Sequence, residues 1–276
     1  MRQALGGDAA LAAVTSFTVK GSRAITSGDF SLTDSVELAC ALPDRFVERS
    51  EHLNNLGPLG LSNVSGRHGF NGDDVIVEHL SDDPLPTPTV AHASPPVDAA
   101  SERLRQLRQA KRAFVRRAFP LFAASLDAEP VTIAAIGQAS GPTGPAYAIS
   151  LKTSDDFTMT AFVDAHTYRV AGLMWTDKPI VNTSGTVTMT MRERVGASGT
   201  SITSMSPPAV LPPPPPPATL PDVTWQMVVT DYRAEGGLTW PHRFTTTFGG
   251  HKYEDLKLGT FQINPRIDSS IFRVAK

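Results

Sequence analysis

A chain of 276 residues sets 25 Lys and Arg against 27 Asp and Glu, and the formal net charge of −2 excludes recognition of a polyanion by bulk charge. The length suits one large β-rich domain with a sizeable core, while the single cysteine, Cys40, excludes an intramolecular disulfide and a cysteine-based zinc site. No stretch approaches the roughly 20 apolar residues of a membrane-spanning helix.

The first segment, 2–14, places Leu5, Leu11 and Val14 at helical spacing around Gly6-Gly7, with Asp8 placed to cap the turn that follows. The chain opens straight into this pattern, as a mature domain without its leader and a cytosolic protein alike would. Alternation then begins. Phe17, Val19 and Gly21 share one face, as do Val36, Leu38 and Cys40, which makes Cys40 a buried, inert strand thiol. Residues 45–52 continue the sheet, and Gly69-Phe70-Asn71-Gly72-Asp73 reads as a hairpin whose Asn-Gly pair favours a type I′ turn. Residues 81–99 form a Pro-rich surface loop.

Residues 99–126 read as the one long helix. Leu104, Leu107, Phe114, Ala118, Leu121 and Phe122 lie near one stripe, Ser101-Glu102 suits its start, and Pro120 is expected to kink or split it. Six arginines and a lysine crowd positions 103–117 against Glu102 alone, which reads first as a solvated face and second as a contact for anionic headgroups through Arg108, Arg112 and Arg116. Beyond residue 130 the period returns to two. Phe157, Met159, Ala161 and Val163 form one face, and Val187, Met189 and Met191 alternate with threonines. With no helix between these strands, the sheet should be antiparallel. Residues 196–221 interrupt it with a polyproline insertion, 212–217, that reads as a stiff loop or as a ligand for a protein partner.

No constellation for catalysis stands out. The seven histidines show no i, i+4 metal pair, although His68 and His79 are placed to approach each other across the hairpin. There is no nucleophile elbow and no phosphate loop, and the acidic pairs Asp73-Asp74 and Asp155-Asp156 read as solvated turn acids. A hydrolase would need His, Ser and Asp to converge in one cleft.

Several short phrases in fixed order carry a resemblance: Ala4-Leu5-Gly6-Gly7, Pro43 with Phe46, Asn71-Gly72-Asp73, Asp164 with Thr167, and Phe261 to Pro265. Together they resemble the LolA-like superfamily of bacterial lipoprotein carriers and outer-membrane lipoprotein-sorting type domains. The resemblance implies one mostly β (α+β) domain over 1–276, a curved antiparallel half-barrel wrapped around a few helices, in an extracytoplasmic setting. It implies no cofactor and no enzyme activity. The expected site is the concave face with its lid: Phe114, Phe119, Leu121, Phe122, Met159, Val163, Val187, Met189 and Met191 around a lipid or acyl chain. Transient membrane contact fits; nucleic acid does not. The carriers hold their lid with an arginine immediately before the proline, where this chain has Leu42. The alternative is a half-barrel filled by its own side chains that serves as an interaction module, contacting a protein partner through the polyproline loop or the arginine-rich helix.

Overall fold

The structure is a computed structural model that describes residues 1–27, 30–55, 61–81, 98–179, 191–195, 201–205 and 220–273. The chain divides into two compact units, Met1–Asp177 with Val223–Lys276, and Lys178–Asp222.

The larger unit opens with a 3₁₀ turn, Arg2–Leu5, and helix α1, Asp8–Ala12. Gly7 caps α1, so Asp8 is its first residue and not its cap. Gly6 takes φ 123°, and a Cβ there would stand 2.6 Å from the Gly237 carbonyl oxygen, so the turn packs against the sheet only as glycine. Strands β1 (Ser16–Ser27), β2 (Phe30–Ala41), β3 (Arg45–Asn55), β4 (Leu61–Asn71) and β5 (Asp74–Ser81) follow as a meander. Asn71 pairs with Asp74, which leaves Gly72 and Asp73 at the centre of the last turn, and of these two only Gly72 has positive φ. That is the pattern of a type II′ turn, not the expected type I′.

Helix α2 spans Ala99–Phe122. Asp98 caps it, accepting from the Ala100 and Ser101 amides at 3.4 and 3.1 Å, so the cap lies ahead of Ser101-Glu102. Pro120 neither splits nor ends it. It sits in the last turn, where the missing N–H costs one bond, and Ala123 at φ 48° closes the helix four residues short of the expected end.

Strands β6 (Val131–Gly141), β7 (Gly144–Thr153), β8 (Thr158–Asp164) and β9 (Val170–Asp177) form the second half of the sheet. The strands β12 (Val223–Glu235), β13 (Leu238–Phe248), β14 (His251–Leu258) and β15 (Gln262–Ile263) complete it. The order β5-β4-β3-β2-β1-β14-β13-β12-β9-β8-β7-β6 is antiparallel throughout, with β15 on β1. Because β5 and β6 do not meet, the sheet is open, as expected for a half-barrel. Its inner face, α1 and α2 share one core; the outer face carries two small clusters, one of them under the C-terminal turn Ser269–Phe272.

The smaller unit holds β10 (Met191–Val195) paired with β11 (Ser201–Met205). Part of 196–221, expected as an uninterrupted loop, is therefore strand. Val187, Met189, the 212–217 polyproline run and most of the 81–99 stretch lie outside the described residues.

Candidate functional site: the inner face and its helix

The register lines up an apolar row across five strands. Phe17 stands opposite Cys40, Cys40 opposite Phe46, Phe46 opposite Phe70 and Phe70 opposite Val75. Helix α2 lies along this row. Phe114 sets its ring 5.2 Å from Phe46 and 5.4 Å from Phe70, and Phe122 sits 6.2 Å from Phe17 and 6.3 Å from Trp240. These tilted and edge-on contacts are the favoured aromatic geometries. Phe114, Phe119, Leu121 and Phe122 are each at most 2% exposed. Met159 joins the same core, Val163 is buried on β8 outside it, and Leu104 leaves the expected stripe at 48% exposure. Burial pushes the Cys40 thiol up to about 12, as an inert strand cysteine requires. Between Phe114, Val115, Phe119, Leu126 and Val131 a crevice of about 10 Å³ has room for roughly one water.

The basic face of α2 is a solvated face only in part. Arg108 is exposed and Arg105 pairs with Glu102 on the helix itself, but Arg103, Lys111, Arg112 and Arg117 fasten the helix to the sheet. Arg103 reaches Asp74 and Lys111 reaches Asp73, both in the β4–β5 turn. Arg112 donates to Asp155 at 2.9 and 2.6 Å in the β7–β8 turn and lies 4.4 Å from the Phe157 ring centre. Arg117 donates to both Glu254 oxygens, at 2.7 and 2.8 Å, and Thr246 Oγ1 adds a third bond at 3.2 Å. Burial alone would push the Glu254 carboxyl up, but the Arg117 guanidinium holds it below the ordinary carboxylate range. At the other end Arg2 Nη1 donates to the Phe122 carbonyl at 3.0 Å, meeting the negative end of the helix dipole. Of the acidic turn pairs, Asp73, Asp74 and Asp155 thus hold α2, while Asp156, 84% exposed, pairs with Lys152.

Above the apolar row the inner face turns polar, a feature sequence reasoning missed. Arg23 donates to Asp34 at 2.7 Å and to Glu48, and His52 Nδ1 stands 3.3 Å from Asp34. Glu48 faces His68 across the β3–β4 pair, and Ser50 faces Gly66, which in turn faces His79. The His68 and His79 rings do meet, 4.9 Å apart. Although His68 keeps part of its surface in water, partial desolvation, then His79 and Arg23, pushes it down to about 4. Ser50 and His52 share β3, and Asp34 reaches His52 from β2, but among the described residues no hydrogen bond joins the Ser50 hydroxyl to an imidazole, and no group of three His, Cys, Asp or Glu could hold a metal. The signal was in the alternation. Arg23 is in phase with Phe17 and Val19 on β1, Asp34 with Val36 and Leu38 on β2, and Glu48 with Phe46 on β3.

His242 and His166 take unlike places. His242 is a core histidine, donating Nδ1–H to the Leu258 carbonyl at 3.1 Å. His166 is a turn residue, its amide bonded to Asp164, which also accepts from the Thr167 amide and hydroxyl.

No family model matches the chain, and no curated protein matches it. Three solved structures are similar to it. A LolA superfamily protein from Nitrosomonas europaea shares 11% identity at a TM-score of 0.46, covering 95% of this chain and 91% of that one. A DUF1329 family protein from Desulfovibrio piger shares 7% at 0.48 over 95% and 91%. A domain named for outer membrane lipoprotein sorting, from Vibrio parahaemolyticus, shares 8% at 0.42 over 93% and 88%.

Proposed function

We propose that this chain is a non-catalytic, extracytoplasmic binding protein that takes an acyl or other hydrophobic chain on the inner face of its sheet, beneath α2. One observation carries the reading: the apolar inner face is covered by a single helix whose aromatic stripe supplies the cover and whose ion pairs supply the fastening. Exchanging the rings for an acyl chain replaces one apolar contact with another. A chain of about sixteen carbons would gain on the order of 12 kcal/mol gross at ~0.8 kcal/mol per methylene, against association costs of roughly 4–15 kcal/mol. The fastening has its own logic. The resembled carriers place the lid-holding arginine immediately before the proline; here Leu42 stands at that position, and the arginine, Arg117, is on the helix with its acceptor Glu254 on the sheet. The extracytoplasmic setting rests on the sequence resemblance.

A second reading has its own support. The four helix side chains are almost fully buried against the sheet, as they would be in a half-barrel filled by its own core and used as an interaction module. Native mass spectrometry of freshly purified protein, followed by organic extraction, separates the two. A bound acyl species near one per chain is the expected result. A clean apo mass, with no uptake of added fatty acid or phospholipid, rejects the binding reading and leaves the filled module.

A further inference from the structure

The ion pairs along α2 sort its basic side chains, and one is left over. Arg103, Arg105, Lys111, Arg112 and Arg117 each hold a carboxylate. Arg108 has none but is exposed, so water solvates it at little cost. Arg116 alone is half-buried, with no ion pair among the described residues. Its guanidinium lies 4.8 Å from the Trp175 ring centre. Trp175 stacks on Trp225 at 6.1 Å and 5°, and Tyr253 meets Trp225 edge-on at 5.5 Å. Two further donors in this region lack acceptors among the described residues: the Trp225 indole N–H, in a residue 4% exposed, and Nη1 of Arg117. Buried donors without partners are costly in a folded protein, and a cation out of water is costlier still unless an anion answers it.

We propose that Arg116 is the anion-binding residue of this protein's ligand site, taking a carboxylate or phosphate while the ligand's apolar part lies beneath α2. This rests on the hydrophobic-ligand reading above. The desolvation of Arg116 supports this. Burial, and then Arg117 beside it, push the Arg116 guanidinium down to about 10, against the opposing pull of Asp177 and Glu254. An anion brought to the guanidinium offsets that desolvation. A guanidinium presents a planar fork that matches the two oxygens of a carboxylate or phosphate. Of the three arginines expected at a headgroup, Arg112 is already committed to Asp155, so Arg116 carries the role.

The test uses tryptophan fluorescence, since Trp175 lies under Arg116. Full-length protein is titrated with decanoate, with 1-decanol as its uncharged counterpart, and with inorganic phosphate. Decanoate should bind about tenfold tighter than decanol, the worth of a charge-assisted hydrogen bond. Arg116→Gln should bring the two to equal affinity, Arg116→Lys should keep part of the preference, and Arg108→Gln should keep all of it. Arg116→Gln should melt no lower than the parent, because it removes an unmatched charge. Equal affinities in the parent, or a preference that survives Arg116→Gln, overturns the role of Arg116 and leaves hydrophobic binding standing. Phosphate binding lost in Arg116→Gln, with neither amphiphile bound, keeps the anion site and overturns the hydrophobic reading. No binding of any probe overturns both.

Discussion

Glu254 is buried on β14 with Arg117 from the helix forked onto it and Arg23 and Thr246 beside it. Removing one partner leaves the other charged and desolvated, so Arg117→Ala or Glu254→Ala should each cost about 3–5 kcal/mol in denaturant unfolding, while a double change to apolar residues of similar size should cost much less. The pH dependence follows from the same geometry. The folded Glu254 carboxyl titrates below its ordinary value, so its contribution is present above that value and is lost as pH falls through the folded pKa. His68 acts earlier on the way down. Its folded pKa is about 4 against 6.5 when free, so between these limits the unfolded chain takes up the proton first and stability falls as pH drops. His68→Gln should flatten the stability profile between about pH 6.5 and 4, and an unchanged slope there would assign it to other groups.

At the scale of elements, α2 is the part on which the proposed function rests, and its two faces were unequally legible. The apolar stripe showed in the sequence because 3.6-residue spacing puts Leu107, Phe114, Ala118, Leu121 and Phe122 on one side, and all five are buried. Phe114→Ala should cost about 3–5 kcal/mol, since its ring fills the space over Phe46 and Phe70. Leu104→Ala, on an exposed side chain, should stay within about 0.5 kcal/mol; equal losses from the two would mean the helix docks differently. The charged face was misread in part because a run of arginines looks the same whether it faces water or carboxylates. Only the docking of α2 between the β4–β5 and β7–β8 turns reveals the partners. The strands were legible wherever one face is apolar, as in β1, β2 and β8, and illegible in β11, whose Ser-Ile-Thr-Ser-Met sequence carries no apolar alternation.

For the molecule as a whole, the smaller unit leaves the sheet between β9 and β12, which are hydrogen-bonded neighbours with Asp177 directly opposite Val223. The strand ends therefore already meet where residues 178–222 depart. Replacing that stretch with a two-residue turn should leave the larger unit folded, with the same far-ultraviolet circular dichroism per residue in its sheet. The melting temperature should lie within about 4 °C of the full chain, roughly 1 kcal/mol in a domain of this size. A larger loss would show that the smaller unit supports the core.

Sequence alone determined what local chemistry can decide: period-two strands, one amphipathic helix, the glycine that turns the β4–β5 hairpin, and an inert strand cysteine. Tertiary structure decided which charges meet. Arg117 and Glu254 are 137 residues apart, and β1 lies against β14 from the far end of the chain. Side-chain phase tells which face a residue takes, but not which strand or helix will stand opposite. The pairing that fastens the helix, the polar zone above the apolar row and the placing of Arg116 over Trp175 came into being only when distant segments closed on one face.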